Sequence, residues 1–151
     1  MLPFRAQPQL ARLPAGYAFR LEEPPTVAAL NRLLLLGDDR PRTADLWQRV
    51  LERSAWWLAV ENEAGALQGF LRATSDQALN ANLWDLLSDP ADPEREGVLA
   101  ALVETALARL RRELGGCSIS ISAPPEALNA LSRAGFVVDP GGIRAMGLQL
   151  G

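Results

Sequence analysis

Apolar and polar positions follow two periods along this chain, and the switches between them mark its elements. Tyr17-Ala18-Phe19-Arg20-Leu21 alternates and predicts a first strand. Pro24-Pro25-Thr26 opens a helix with Thr26 as its cap and Val27, Leu30, Leu33 and Leu34 on one stripe. Residues 37–41 end it. Thr43 caps a second helix, with Asp45 in its first turn and Leu46, Trp47, Val50 and Leu51 predicted to face inward. Residues 56–61 and 66–73 are strand-like runs flanking Asn62-Glu63-Ala64-Gly65, which predicts a hairpin. An apolar strand over 81–88 runs into an acidic, proline-marked turn (89–97) and a long helix from Val98 to Leu114. In that helix Leu99, Leu102, Val103, Ala106, Leu110 and Leu114 recur at helical spacing, and Gly115-Gly116 stops it. Residues 117–122 alternate strictly and predict a further strand. Pro124-Pro125-Glu126 opens a short helix ending at Ala134-Gly135. Residues 136–138 and 143–150 flank Asp139-Pro140-Gly141-Gly142 and predict a second hairpin. The order β-α-α-β-β-β-α-β-α-β-β implies an α/β (α+β) fold, a mixed sheet with helices on both faces. Residues 1–16 are proline-marked and weakly patterned. They read as an N-terminal arm with Phe4 packed on the body, and residues 17–151 read as a single domain.

Composition removes whole classes of chemistry. The chain has no histidine, so histidine general bases, Ser-His-Asp catalysis and His-ligated zinc are excluded. Its fifteen basic residues are all arginine, so no lysine is present for Schiff-base chemistry. Cys117 is the single cysteine, which excludes an intrachain disulfide and thiolate metal clusters; a buried, inert thiol is expected. No metal site is expected. A net charge of −3 argues against nucleic acid as a partner. No apolar run approaches the ~20 residues of a membrane span. No basic region leads into an apolar core at the N-terminus, so no signal peptide is expected and the expected location is cytoplasmic.

The strand–turn–helix unit over 81–114 carries the most chemistry. Such a unit points free backbone N–H groups at the turn, with the positive end of the helix dipole behind them, and so favours a phosphate. Glu94 and Glu96 oppose this by placing negative charge in the same turn.

The order of elements, with the residues at its joints, resembles the GNAT superfamily of acetyl-CoA-dependent N-acetyltransferases over about 17–150. Trp57-Leu58-Ala59-Val60-Glu61 to Gly69-Phe70 is similar to the family's central hairpin. Leu83-Trp84-Asp85-Leu86-Leu87-Ser88-Asp89-Pro90 is similar to its fourth strand. Gly97-Val98-Leu99-Ala100-Ala101-Leu102 is similar to the end of its pyrophosphate loop, and Asn129-Ala130-Leu131-Ser132-Arg133-Ala134-Gly135-Phe136 to its late helix. Two departures stand out. The family loop reads Arg/Gln-x-x-Gly-x-Gly/Ala, whereas this chain has Glu94-Arg95-Glu96-Gly97-Val98-Leu99, so Leu99 is expected to crowd the site and Arg95 to supply a phosphate partner. Many members place a tyrosine four residues before the late glycine; here that position is Leu131, with Ser132 the neighbouring hydroxyl.

The resemblance implies a mixed, mostly antiparallel sheet of about six to seven strands, and direct attack of an amine on the thioester with no covalent nucleophile. The implied acetyl-CoA contacts are Leu86, Leu87, Ser88, Arg95, Glu96, Gly97, Val98, Leu99, Ala100 and Asn129. Asp85 is the candidate general base, against the reading that it is an ordinary polar residue on a strand face, and Ser132 is the second candidate catalytic group. Asp38 and Asp39 are the candidate acceptor contacts, against simple turn chemistry. Ser118, Ser120 and Ser122 read as a hydrogen-bonded strand face, since no histidine or lysine is present to activate them. The four tryptophans read mostly as core. The expected partners are acetyl-CoA as co-substrate, a small-molecule or peptide amine, and a second copy of the chain in a homodimer. The alternative reading is a GNAT-fold protein without turnover that serves as a ligand-sensing or interaction module.

Overall fold

The computed structural model describes residues 10–151. The predicted packing of Phe4 lies outside the described residues. Five strands form one sheet in chain order: β1 (Ala18–Phe19), β2 (Trp56–Glu61), β3 (Leu67–Ser75), β4 (Asn80–Ser88) and β5 (Ser118–Ile121). The first four are antiparallel neighbours and β5 runs parallel to β4. Helices α1 (Val27–Leu36) and α2 (Ala44–Arg53) cover one face. Helices α3 (Arg95–Glu113) and α4 (Leu128–Arg133) cover the other. The sheet is therefore mixed and mostly antiparallel, as the sequence predicts.

Strand periodicity sorts the core into two layers. Leu58 and Val60 of β2, Leu71 and Ala73 of β3, and Ala81 and Leu83 of β4 pack under α3. Ala59 and Phe70 point the other way, onto Leu30, Leu33, Leu34 and Trp47 of α1 and α2. Both caps read from sequence form: Thr26 accepts from the Ala29 amide at 3.1 Å and Thr43 from the Leu46 amide at 3.2 Å. Trp47 is fully buried, and its Nε1 donates to Asn31 Oδ1 at 2.8 Å. Leu46, predicted to face inward, is 39% exposed, because the helix turns its Trp47 stripe to the core instead.

Glycine sets how closely α3 can approach the sheet. A Cβ at Gly69 would lie 2.7 Å from Val98 Cγ1 and 2.8 Å from Leu102 Cδ1. The absent side chain at Gly69 is what lets the first turns of α3 rest on β3.

Three expectations are corrected. The sheet has five strands among the described residues, not six or seven, because the C-terminal hairpin does not form. Asp139 takes a left-handed conformation (φ 46°), Gly141 and Gly142 also have positive φ, and the chain leaves this turn as coil. Val138, Met146 and Leu148 are each more than 80% exposed. An isolated two-stranded ribbon is marginal in water, and this one has no surface on which to bury its apolar face. Helix α3 also begins three residues before the predicted Val98, since Arg95 already follows the Asp92 turn. Cys117 is half-buried, not buried, and its thiol lies 3.2 Å from the Ala78 carbonyl.

Replacing Gly69 by alanine should destabilise the fold by about 1–3 kcal/mol through overpacking against Val98 and Leu102, measured as a lower midpoint in urea. An unchanged midpoint would show that α3 is not seated there.

Candidate active site

The parallel strands β4 and β5 part company. Their register ends at Leu83 opposite Ile121, while β4 continues to Ser88. On its other side β4 stays paired with β3 up to Gly69 opposite Ser88. Residues 84–88 thus keep one backbone edge without a strand partner, beside the first turn of α3. The strand also carries one extra residue: Arg72 faces Trp84 but Phe70 faces Leu87. This bulge places Trp84 and Asp85 together on the α2 face, with Asp85 at φ 52°. Leu86 points back into the α3 core, Leu87 packs toward α1 and α2, and Ser88 is buried.

The turn after β4 is pinned from several sides. Asp89 accepts from Arg32 of α1 at 2.8 Å, and the Arg32 guanidinium also reaches the Leu67 carbonyl. That hydrogen bond outweighs burial and holds the Asp89 carboxyl below the usual range. Asp92 accepts from the Glu94 amide at 2.9 Å and from the Tyr17 hydroxyl. The tyrosine, raised first by that bond and then by burial, is pushed up to about 12. The chain's only tyrosine therefore spends its proton on this turn. No side chain caps α3. Among the described residues, the Glu96 and Gly97 amides donate to no protein group, as the first turn of a helix leaves them.

A groove of about 160 Å³ runs from this turn along the cleft between α3 and α4, lined by Glu96, Leu99, Ala100, Glu126, Asn129 and Arg133. Arg95 spans its end. Its Nε donates to Ser88 Oγ at 2.8 Å, and its terminal nitrogen lies 3.2 Å from Glu126 Oε1. The groove brings together Glu96, Ala100 and Asn129 of the candidate co-substrate contacts. Three other residues have different places. Val98 is fully buried against the Gly69 seat. Leu99 is 1% exposed and forms the floor beneath the groove, so it does not crowd the loop amides as expected. Gly97 turns its bare Cα toward Pro14, whose Cγ would sit 2.8 Å from a Cβ there. Residues 10–16 thus close over the start of α3, with Leu13 on its core and the Ala11 amide donating to Thr105 at 3.0 Å.

The sharpest electrostatic feature lies on the opposite face. Asp85 is clamped between two guanidiniums: Arg42 donates from both terminal nitrogens at 2.9 and 2.7 Å, and Arg72 Nε donates at 2.6 Å. Burial works to raise the Asp85 carboxyl, but the two arginines outweigh it and hold the group below its ordinary value. Arg42 is in turn raised, chiefly by its bond to Asp85. Arg42 also stacks 4.4 Å over Trp47, and its backbone is held at both N–H and C=O by the Asn31 side chain.

No family model matches the chain. It is 42% identical over 81 residues to GCN5-related N-acetyltransferase 2, chloroplastic, of Arabidopsis thaliana, a match covering 53% of this chain and 30% of that one. Among solved structures it superposes on a probable acetyltransferase from Staphylococcus aureus with a TM-score of 0.75, at 15% identity, covering 89% of this chain and 99% of that one. It also superposes on a GNAT family N-acetyltransferase from Escherichia coli in complex with CoA, with a TM-score of 0.61 at 20% identity, covering 89% and 73%. The chain has the GNAT fold, and about half of its sequence is similar to GCN5-related N-acetyltransferases. It spans between 30% and 46% of the length of the first curated relatives it matches.

Within the GNAT frame the two candidate catalytic groups have clear places. Asp85 is an anchor for two cations; a carboxylate accepting three charge-assisted hydrogen bonds has little tendency to take a proton from an amine. Ser132 is exposed on α4 beside the groove lining, not within it, and Leu131 is buried in the core. Asp38 and Asp39 are exposed in the α1–α2 turn. Asp38 adopts φ 59° and Asp39 accepts from the Arg40 amide at 2.7 Å, which is turn chemistry. Sequence reading missed Arg42, Arg72 and Asn31, whose partners lie 11 to 43 residues away in the chain.

Because the folded-state carboxyls of Asp85 and Asp89 are depressed, their contribution is present above the unfolded value near 4 and is lost as pH falls through the folded one. Thermal midpoints should therefore drop below about pH 4. Asp85→Asn should cost about 3 kcal/mol by leaving two guanidiniums short of their anion and should flatten part of that acid slope. A variant with wild-type midpoints from neutral to acid pH would remove the anchor role.

Proposed function

We propose that this chain is an N-acyltransferase that moves an acetyl group from acetyl-CoA to an amine by direct attack. The observation that carries the reading is the parting of β4 from β5, which leaves the 84–88 edge free beside the uncapped first turn of α3. A strand edge of this kind offers main-chain partners to an extended amide-bearing ligand arm. The Glu96 and Gly97 amides offer donors to a pyrophosphate. Free amides of the bulged strand suit polarisation of the thioester carbonyl. In the reaction the new C–N bond forms as the C–S bond breaks, the thiolate leaves, and the surplus amine proton passes to solvent at the exposed Trp84 side of the bulge.

Arg95 is the phosphate-facing cation in this reading, and Glu126 competes for it. The Arg95–Glu126 pair ties α3 to the α4 segment across the end of the groove at 3.2 Å. Three acidic residues, Glu96, Glu104 and Glu126, also line the groove and oppose an anionic ligand. The reading of a GNAT-fold sensing or interaction module without turnover draws on these acids, on Leu131 in the late-helix position and on the commitment of Asp85 to two arginines.

Calorimetric titration with acetyl-CoA, using desulfo-CoA and ADP as controls, separates the two. Saturable binding near micromolar, ~−8 kcal/mol, followed by acetylation in an amine screen supports the enzyme; binding without turnover supports the sensor, and no binding at millimolar ligand sinks the enzyme and leaves the interaction module. Glu126→Gln should tighten acetyl-CoA binding several-fold by freeing Arg95, whereas Arg95→Glu should weaken it about tenfold or more. Equal affinities in both variants would mean that the phosphates sit elsewhere.

A further inference from the structure

Helix α2 carries two stripes, one packed on the core and one that touches the core at its edge through Val50. Trp47 and Leu51 pack inward. Leu46, Arg49, Val50 and Arg53, at helical spacing, line a shallow cleft of about 250 Å³ together with Arg72 and Thr74 of β3. Leu46 and Val50 give it an apolar floor, and three guanidiniums surround that floor. Arg49 and Arg53 have no acidic partner among the described residues. Arg72 is paired, but its Asp85 is shared with Arg42, so this cluster of three side chains keeps one net positive charge. Thr74 Oγ1 accepts from Trp84 Nε1 at 2.8 Å. A hydroxyl that accepts still has its own proton to donate, and Thr74 donates it to no group among the described residues.

The cleft adjoins the bulge. Arg72 faces Trp84 across the β3–β4 pair, and Asp85, the next residue, anchors Arg72. A molecule seated on Arg49, Arg53 and Thr74 would reach along β3 toward the free edge of β4 from the side opposite the α3–α4 groove. We propose that this cleft holds the anionic end, a carboxylate or a phosphate, of the amine acceptor. The inference rests on the acyltransferase reading for the word acceptor, but not for the anion site itself. Two unpaired guanidinium forks, the added charge of Arg72 and one hydroxyl suit an oxyanion, and the apolar floor suits the short carbon linker behind it. The positive area is compact and edged by the exposed Asp45 and Glu52 of the same helix, which favours a small anion over a nucleic-acid backbone. Selectivity would follow from charge: a neutral amine leaves Arg49 and Arg53 unpartnered, while a cationic polyamine meets repulsion.

The test compares three amines of similar length: O-phosphoethanolamine, β-alanine and ethanolamine. Binding is read without turnover from the indole N–H resonance of Trp84, which touches Thr74. Saturable shifts with O-phosphoethanolamine or β-alanine, and none with ethanolamine, are expected, and the stronger of the two names the anion. Arg49→Gln/Arg53→Gln should weaken the shift about tenfold with the affinity for acetyl-CoA unchanged. Arg49→Lys/Arg53→Lys should recover part of it. No shift with either anion, or equal binding by wild type and the glutamine variant, overturns the site. A persisting anion shift with no acetyl-CoA binding removes the acyltransferase reading and leaves the anion site standing.

Discussion

The contact on which the rest of this molecule depends is the close approach of α3 to β3 at Gly69. Val98 and Leu102 occupy the space where a side chain would be, and α3 thereby lies flat on the sheet with its first turn at the end of β4. A helix held there aligns unsatisfied amides with the end of the strand. It also spans the crossover that brings β5 parallel to β4, and β5 ends opposite Leu83. The free edge, the uncapped helix start and the groove between α3 and α4 are consequences of one packing decision.

A second constraint acts on the opposite face through charge. The bulge of β4 brings Asp85 out beside Trp84, where burial alone would neutralise it. Two arginines from separate elements keep it ionised. Arg42 arrives from the segment before α2, steadied by Asn31 and by its stack on Trp47, and Arg72 from β3. This ties the α1–α2 connection to the sheet beside the bulge. The carboxylate that reads as a base from its position on a strand is therefore a fixed anion with no spare capacity. The positive charge left over is what gives the α2 cleft its character.

The loop between β4 and α3 shows why a motif's residues and their jobs separate. Gly97 stands where the family loop has glycine, yet its missing Cβ accommodates Pro14. Leu99 replaces a small residue without filling the loop, because helical geometry turns it into the core. Tyr17, read only as part of a first strand, fastens Asp92 from far away in sequence. Each of these assignments needed the position of a second segment, which local spacing does not contain.

The sequence by itself determined the elements and the fold class. Period-2 and period-3.6 patterns are local consequences of backbone geometry, so β2 to β5, the four helices, both threonine caps and the two faces of the sheet were legible, as was the absence of histidine and lysine chemistry. The C-terminal run was legible as strand-like but not as unpaired, because alternation states what a segment would bury and not whether a surface is there to receive it. The site itself was decided by tertiary structure. Asp85 between Arg42 and Arg72, Arg95 between Ser88 and Glu126, and Arg49 and Arg53 around Thr74 join residues from different elements. Long charged side chains choose partners by distance through space, over which sequence separation has no control.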